Sequence, residues 1–127
     1  MANVLLIEPD AALARPYVQA LQHVGYTVRH AANAQDAVLA ADESKPDVVV
    51  LELQMAVHDG VEFLHEFRSY PEWQTIPVIV NSHIAPTNLE PVRVALETDL
   101  GVVALLYKPR TTLQQLISEV NRQIVLV

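Results

Sequence analysis

Five short apolar runs, separated by stretches with helical spacing, set the pattern of the 127-residue chain. The runs lie at 4–7, 26–30, 48–53, 77–80 and 102–107. Four are nearly continuous in Val, Ile and Leu, as expected for strands covered on both faces of a parallel sheet. The second, Tyr26-Thr27-Val28-Arg29-His30, alternates apolar with polar residues and reads as an edge strand. Between the runs, Leu13, Tyr17, Leu21 and Val24 form a helical stripe, with Asp10 as N-cap and Gly25 as terminator. Pro16 falls inside this stripe, so the helix either kinks there or begins later than Asp10 indicates. Asn33 and Asp36 form a capping pair ahead of Ala37, Val38 and Ala41. Val61, Leu64 and Phe67 make a third stripe, stopped by Pro71. Thr87 or Asn88 is expected to cap a fourth helix with Pro91 in its first turn and Gly101 at its close. Thr111 or Thr112 caps the last, whose apolar face is Leu113, Leu116, Ile117, Val120 and Ile124.

Five strand–helix units in strict alternation, joined by right-handed crossovers, predict a doubly wound α/β fold with three layers, α/β/α, around a five-stranded parallel sheet. A polar second strand belongs at an edge and an apolar first strand at the centre, which favours the flavodoxin-like order 2-1-3-4-5. No repeat, linker or composition break divides the chain, so residues 1–127 are expected to form a single domain, with no output domain in this chain.

Composition removes several classes of function. Hydrophobic residues make up 51% and charged residues 18%, enough to build a core and too apolar for disorder. The net charge is −7 and no basic stripe offsets it, so neither nucleic acid nor an anionic membrane is an expected partner. The absence of cysteine excludes disulfides, thiol nucleophiles and Cys-ligated metals. Three glycines are too few for a glycine-rich phosphate loop. The opening MANVLLIEPD meets an acid after a short apolar run, unlike a signal peptide or membrane span, so a cytoplasmic location is expected.

In a doubly wound sheet the site lies beyond the carboxyl ends of the strands. There the chain places Glu8-Pro9-Asp10, then Glu52 within Leu51-Glu52-Leu53, then Asn81-Ser82-His83, then Tyr107-Lys108-Pro109. Glu52 is the most informative, because a carboxylate in so apolar a run is costly to bury without a partner. Two readings stand level on chemistry alone. One is a structural pair with Lys108; the other is an acidic site that binds a cation or accepts a phosphoryl group.

Over nearly its whole length the chain resembles the receiver domain of two-component response regulators, of the chemotaxis-regulator type. The resemblance rests on Val4-Leu5-Leu6-Ile7-Glu8-Pro9-Asp10, Pro46-Asp47-Val48-Val49-Val50-Leu51-Glu52-Leu53, His58-Asp59-Gly60-Val61-Glu62, Ile76-Pro77-Val78-Ile79-Val80-Asn81-Ser82 and Lys108-Pro109. It implies a site in which two acids after the first strand help hold Mg²⁺ and an aspartate after the third accepts the phosphoryl group. A Ser or Thr and a lysine then contact the phosphoryl oxygens. Ser82 and Lys108 match in type, Glu8 stands at the first acid, Pro9 replaces the second, and Glu52 occupies the phosphoacceptor position. Asp10 lies one place too far along, and would add to an acidic pocket with Glu8 only if the loop shifted.

Glutamate reaches farther than aspartate by one methylene, roughly 1.5 Å, and in-line phosphoryl transfer depends on positioning. Mg²⁺ demands near-octahedral oxygen ligation, so a metal held by Glu8 and Glu52 would be weak or absent. The family's switch aromatic on the fifth strand corresponds to Leu105, which favours a locked face over a switching one. The resemblance therefore implies a non-enzymatic, atypical (pseudo-receiver) signalling module of a phosphorelay. It would act through a protein partner, either a sensor histidine kinase or a downstream signalling protein, or as a homodimer, at the face formed by the fourth helix, fifth strand and fifth helix. The alternatives are a working phosphoacceptor on Glu52 with a rearranged Mg²⁺ site, and an unrelated flavodoxin-like small-ligand binder. His58 and His83 read as solvated loop residues, and Trp73 as a cover over the lower core. The apolar end at 124–127 reads as a strip packed on the sheet, as a dimer contact or as the stub of a longer protein.

Overall fold

The computed structural model describes residues 2–55 and 59–125. The elements alternate as β1 (Asn3–Ile7), α1 (Ala11–His23), β2 (Thr27–Ala31), α2 (Ala34–Glu43), β3 (Val48–Leu51), α3 (Gly60–Ser69), β4 (Val78–Ser82), α4 (Pro86–Val94), β5 (Val102–Tyr107) and α5 (Leu113–Val125). All neighbouring strands pair in parallel, in the order β2-β1-β3-β4-β5. The two-residue period of the strands splits the core into two layers. Leu5, Ile7, Val49, Leu51, Val78 and Val80 face the helices α2, α3 and α4. Val4, Leu6, Val48, Val50 and Ile79 face α1 and α5, where they meet Ala14, Leu21, Leu116 and Val120. The polar strand β2 is at the edge, as its alternation requires.

Register brings the site residues to one level. Ile7 lies opposite Leu51, and Leu51 opposite Val80, so Glu8 and Glu52 each follow directly on paired residues. Their backbones continue the ladder, with the Glu8 amide donating to Ala31 O and the Glu52 amide to Ile7 O, both at 3.0 Å. Strand β3 stops at Leu51 rather than reaching Leu53, so Glu52 stands at the first position past its carboxyl end. Strand β4 runs on to Ser82, beyond the apolar run that marks it, and so carries the hydroxyl on a rigid element.

Three helix expectations need correction or resolution. Helix α1 begins immediately after Asp10 and runs continuously through Pro16. The side chain of Asp10 accepts from the Ala12 and Leu13 amides at 2.9 and 3.2 Å, which compensates part of the hydrogen bond that Pro16 removes. Helix α4 is capped by neither Thr87 nor Asn88: it starts at Pro86, behind Ala85, which makes no side-chain cap. Proline at the first helical position needs no partner for an N–H and presets φ, so Pro86 initiates the helix and Pro91 falls in its interior. Past Val94 the helix widens into a π turn, Ala95–Asp99, in which the Leu100 amide reaches back five residues to Ala95 O at 3.0 Å. For α5 the structure selects Thr112, whose Oγ1 accepts from the Gln115 amide at 3.1 Å while Gln115 Oε1 accepts from the Thr112 amide at 2.8 Å.

Trp73 is buried, stacked on Phe67 with centroids 5.0 Å apart. Ile124 packs against the α1/α5 core layer, while Leu126 and Val127 lie outside the described residues.

Candidate functional site

At the carboxyl edge of the sheet, four of the five residues picked out by their position in the chain converge. Glu8 and Glu52 are 4% and 3% exposed, and both carboxylates accept from the Lys108 ammonium. The Lys108–Glu52 contact is 2.9 Å. Lys108 reaches this point because β5 ends at Tyr107 and turns into a short 3₁₀ segment, Lys108–Arg110, with a trans Lys108–Pro109 bond.

Both oxygens of Glu52 are engaged. Oε2 accepts from the Ser82 hydroxyl and from the Gln54 amide, the latter at 3.0 Å. Oε1 receives Lys108, the His83 amide at 3.1 Å and the His83 ring Nδ1 at 3.1 Å. Burial alone would push the Glu52 carboxyl up; the bonds from Ser82, Gln54 and Lys108 outweigh it and hold the group below the ordinary glutamate range. Burial likewise would lower Lys108, and Glu8 and Glu52 reverse the sign, holding its ammonium above the ordinary lysine value. The cluster is thus two anions around one cation, with hydrogen-bond donors on the remaining lone pairs.

Asp10 does not join the pocket. Its side chain is exposed and spent on the α1 cap; only its backbone amide reaches the cluster, donating to Glu8 Oε2 at 3.1 Å. The loop shift that would bring its carboxylate inward would cost α1 its cap. His83, read from the sequence as a solvated loop residue, is exposed as expected, and it also contacts Glu52 through both ring and backbone. The available signal was its place directly after Ser82 at the end of a central strand. His58 lies outside the described residues. Asn81, on the same strand, is buried, and its Oδ1 has no hydrogen-bond partner among the described residues.

These residues do not fit Mg²⁺. The two carboxylates that would ligate it are turned onto Lys108, the intervening position is Pro9 with no side-chain oxygen, and Asp10 is committed to a cap. Among the described residues no three His, Asp or Glu side chains are grouped to hold an ion. An octahedral shell here would have to compete with Lys108 for Glu8 and Glu52 and draw most of its oxygens from water.

A parallel 2-1-3-4-5 sheet with an acid, hydroxyl and lysine cluster beyond its carboxyl ends defines a doubly wound, flavodoxin-like domain. The family model of the response regulator receiver domain matches residues 4–121, and the chain belongs to that family. The KDP operon transcriptional regulatory protein KdpE of Escherichia coli is 38% identical over 82 residues, 65% of this chain and 35% of that protein. A protein-glutamate methylesterase/protein-glutamine glutaminase of Rhodospirillum rubrum is 29% identical over 125 residues, 98% of this chain and 32% of that protein. The chain therefore spans about a third of the length of these curated relatives. Among solved structures, a Vibrio cholerae chemotaxis protein superposes with a TM-score of 0.82 at 24% identity, covering 96% of this chain and 98% of that one. A receiver domain protein from Methanospirillum hungatei gives 0.85 at 19% identity, covering 98% and 94%. Membership in the family leaves no place for an unrelated small-ligand binder. No helix among the described residues is long and apolar enough to cross a membrane.

Proposed function

We propose that this receiver domain is an atypical one, a signalling module that works through protein–protein contacts without Mg²⁺-dependent phosphoryl transfer. The observation that carries the reading is the closed Glu52 site, with both carboxylate oxygens bonded and Lys108 bridging Glu52 to Glu8. Attack on a phosphoryl donor needs a carboxylate oxygen with an open in-line path and a cation free to neutralise the transferring oxygens. Here the lone pairs and the cation are committed to one another. The phosphoacceptor position is thereby converted into a buried ionic tie joining β1, β3, β4 and the turn after β5.

The partner is a sensor histidine kinase or a downstream signalling protein, met at the face of α4, β5 and α5. A cavity of about 200 Å³ on this face is lined by Ile84, Leu89, Arg93, Leu105 and Tyr107, among others. Leu105 stands where the family carries its switch aromatic, so the face lacks the side chain that would move in response to Ser82.

Intact-protein mass after incubation with Mg²⁺ and acetyl phosphate tests this, with Glu52→Asp and Glu52→Gln alongside. The expected result is no adduct on the native chain. An adduct there that vanishes in Glu52→Gln overturns the proposal and restores Glu52 as a working phosphoacceptor. An adduct gained only by Glu52→Asp assigns the loss to the acceptor itself; none on either assigns it to the metal position at Pro9.

A further inference from the structure

Two cavities of about 560 and 190 Å³ lie along α2 and share Val38 and Leu39 as a common wall. Their apolar lining includes Phe63 of α3 and Trp73, both buried, and the half-buried Tyr70. Leu39, between them, is 59% exposed, a large apolar side chain held in water at the centre of the groove. Asp36, Glu66, Asp42 and Glu72 border it, and among the described residues no lysine or arginine lines either cavity. Elsewhere on the helices exposed acids are answered by arginines: Glu43 by Arg29 at 2.8 Å, and Glu90 and Glu97 by Arg93 at 3.1 and 3.5 Å.

We propose that the α2–α3 face is a docking groove for a segment of a partner protein that carries an apolar side chain flanked by lysines or arginines. The apolar side chain would cover Leu39 and fill the larger cavity, removing exposed hydrocarbon from water. The flanking cations would meet the acidic border, giving the complex its orientation and a salt-sensitive association rate. The field is felt locally. Tyr70 is held above the ordinary phenol range, first by the charge of Glu66, with slight burial, a hydrogen bond to that carboxylate, Glu72 and Asp42 adding to it. A second copy of this chain fits less well, because it arrives with a net charge of −7. The inference rests on the protein-contact reading above but not on the chemistry of Glu52, which lies at the carboxyl edge of the sheet.

The test titrates ¹⁵N-labelled protein with a synthetic amphipathic peptide that has leucines on one helical face and lysines and arginines flanking them. A control peptide replaces the leucines with serine. Saturable shifts confined to α2, α3 and the Pro71–Trp73 turn are expected, with affinity at least about tenfold weaker for the serine peptide. Leu39→Ser and Glu66→Lys, both exposed positions, should each weaken binding by about tenfold with melting temperature unchanged. Equal binding of the serine peptide, shifts centred on α4–β5–α5 or spread over the surface, or no saturation at about 1 mM peptide would each overturn the proposal. An adduct on Glu52 in the mass experiment bears on that site alone and leaves this outcome independent.

Discussion

Lys108 pairs with two buried carboxylates at once, and the lowered Glu52 and raised Lys108 values each favour the charged form of that group. Burying three ionised groups is expensive, and the cost is offset only because Ser82, His83 and the backbone amides of Asp10 and Gln54 fill the remaining lone pairs. Removing the cation leaves Glu8 and Glu52 facing each other without it. Lys108→Met is therefore expected to lose about 3–5 kcal/mol at neutral pH, read from urea unfolding. The pH dependence follows from the signs. The lowered folded-state value of Glu52 gives stability that is present above the unfolded glutamate value of about 4.3 and lost as pH falls through the folded value. The raised value of Lys108 gives stability that is present below about 10.4 and lost as pH rises through the folded value. The deficit of Lys108→Met should accordingly shrink in acid, where protonation relieves the unpaired carboxylates. A deficit that stays constant down to pH 3 would contradict the electrostatic account.

At the scale of elements, the site depends on how β3 hands over to α3. Gly60 opens α3, and its amide donates to Leu53 O at 2.7 Å, folding the chain back against the residue that follows Glu52. A Cβ at this position would stand 2.6 Å from Leu53 Cα and 2.8 Å from Leu53 Cδ2. Helix propensity favours alanine over glycine, yet backbone contact reverses the sign here. Gly60→Ala is expected to destabilise by about 1–3 kcal/mol and to shift the Glu52 and Gln54 amide resonances; a stabilised variant would refute the close approach. At the opposite edge Arg68 performs a comparable task, donating to Leu100 O, Trp73 O and Gly101 O at 2.8, 2.7 and 3.2 Å. It joins α3 to the segment that enters β5. Gly101, at φ +67, lies in the left-handed region that favours glycine, with the Arg68 guanidinium packed close to it.

For the molecule as a whole, the two core layers hold the strand ends in a fixed array, so the two acids and the lysine meet at one edge. Ligand binding raises a melting temperature only in proportion to occupancy of a real site. Millimolar Mg²⁺ is expected to move the melting temperature by less than about 1 °C, measured against the same concentration of a monovalent salt matched for ionic strength. A clear rise specific to Mg²⁺ would show that Lys108 yields its place to the metal. The charge of −7 is unevenly spent at this scale: Glu43 pairs with Arg29 and Glu90 and Glu97 with Arg93, whereas Asp36, Asp42, Glu66 and Glu72 gather along the α2–α3 groove.

The order of strands, the two faces of the sheet and the gathering of Glu8, Glu52, Ser82 and Lys108 at one edge were legible in the chain alone. They follow from period, alternation and the rule that crossovers are right-handed, none of which requires knowing a distance. Whether Asp10 enters the pocket or caps α1, whether the exposed His83 also reaches Glu52, and whether α4 starts at Pro86 or two to three residues later were decided only in three dimensions. Each is a competition between hydrogen-bond partners of similar worth, and its outcome turns on reach that packing sets after the elements have formed. The same holds for Lys108, which the chain places near two acids but only the folded register places between them.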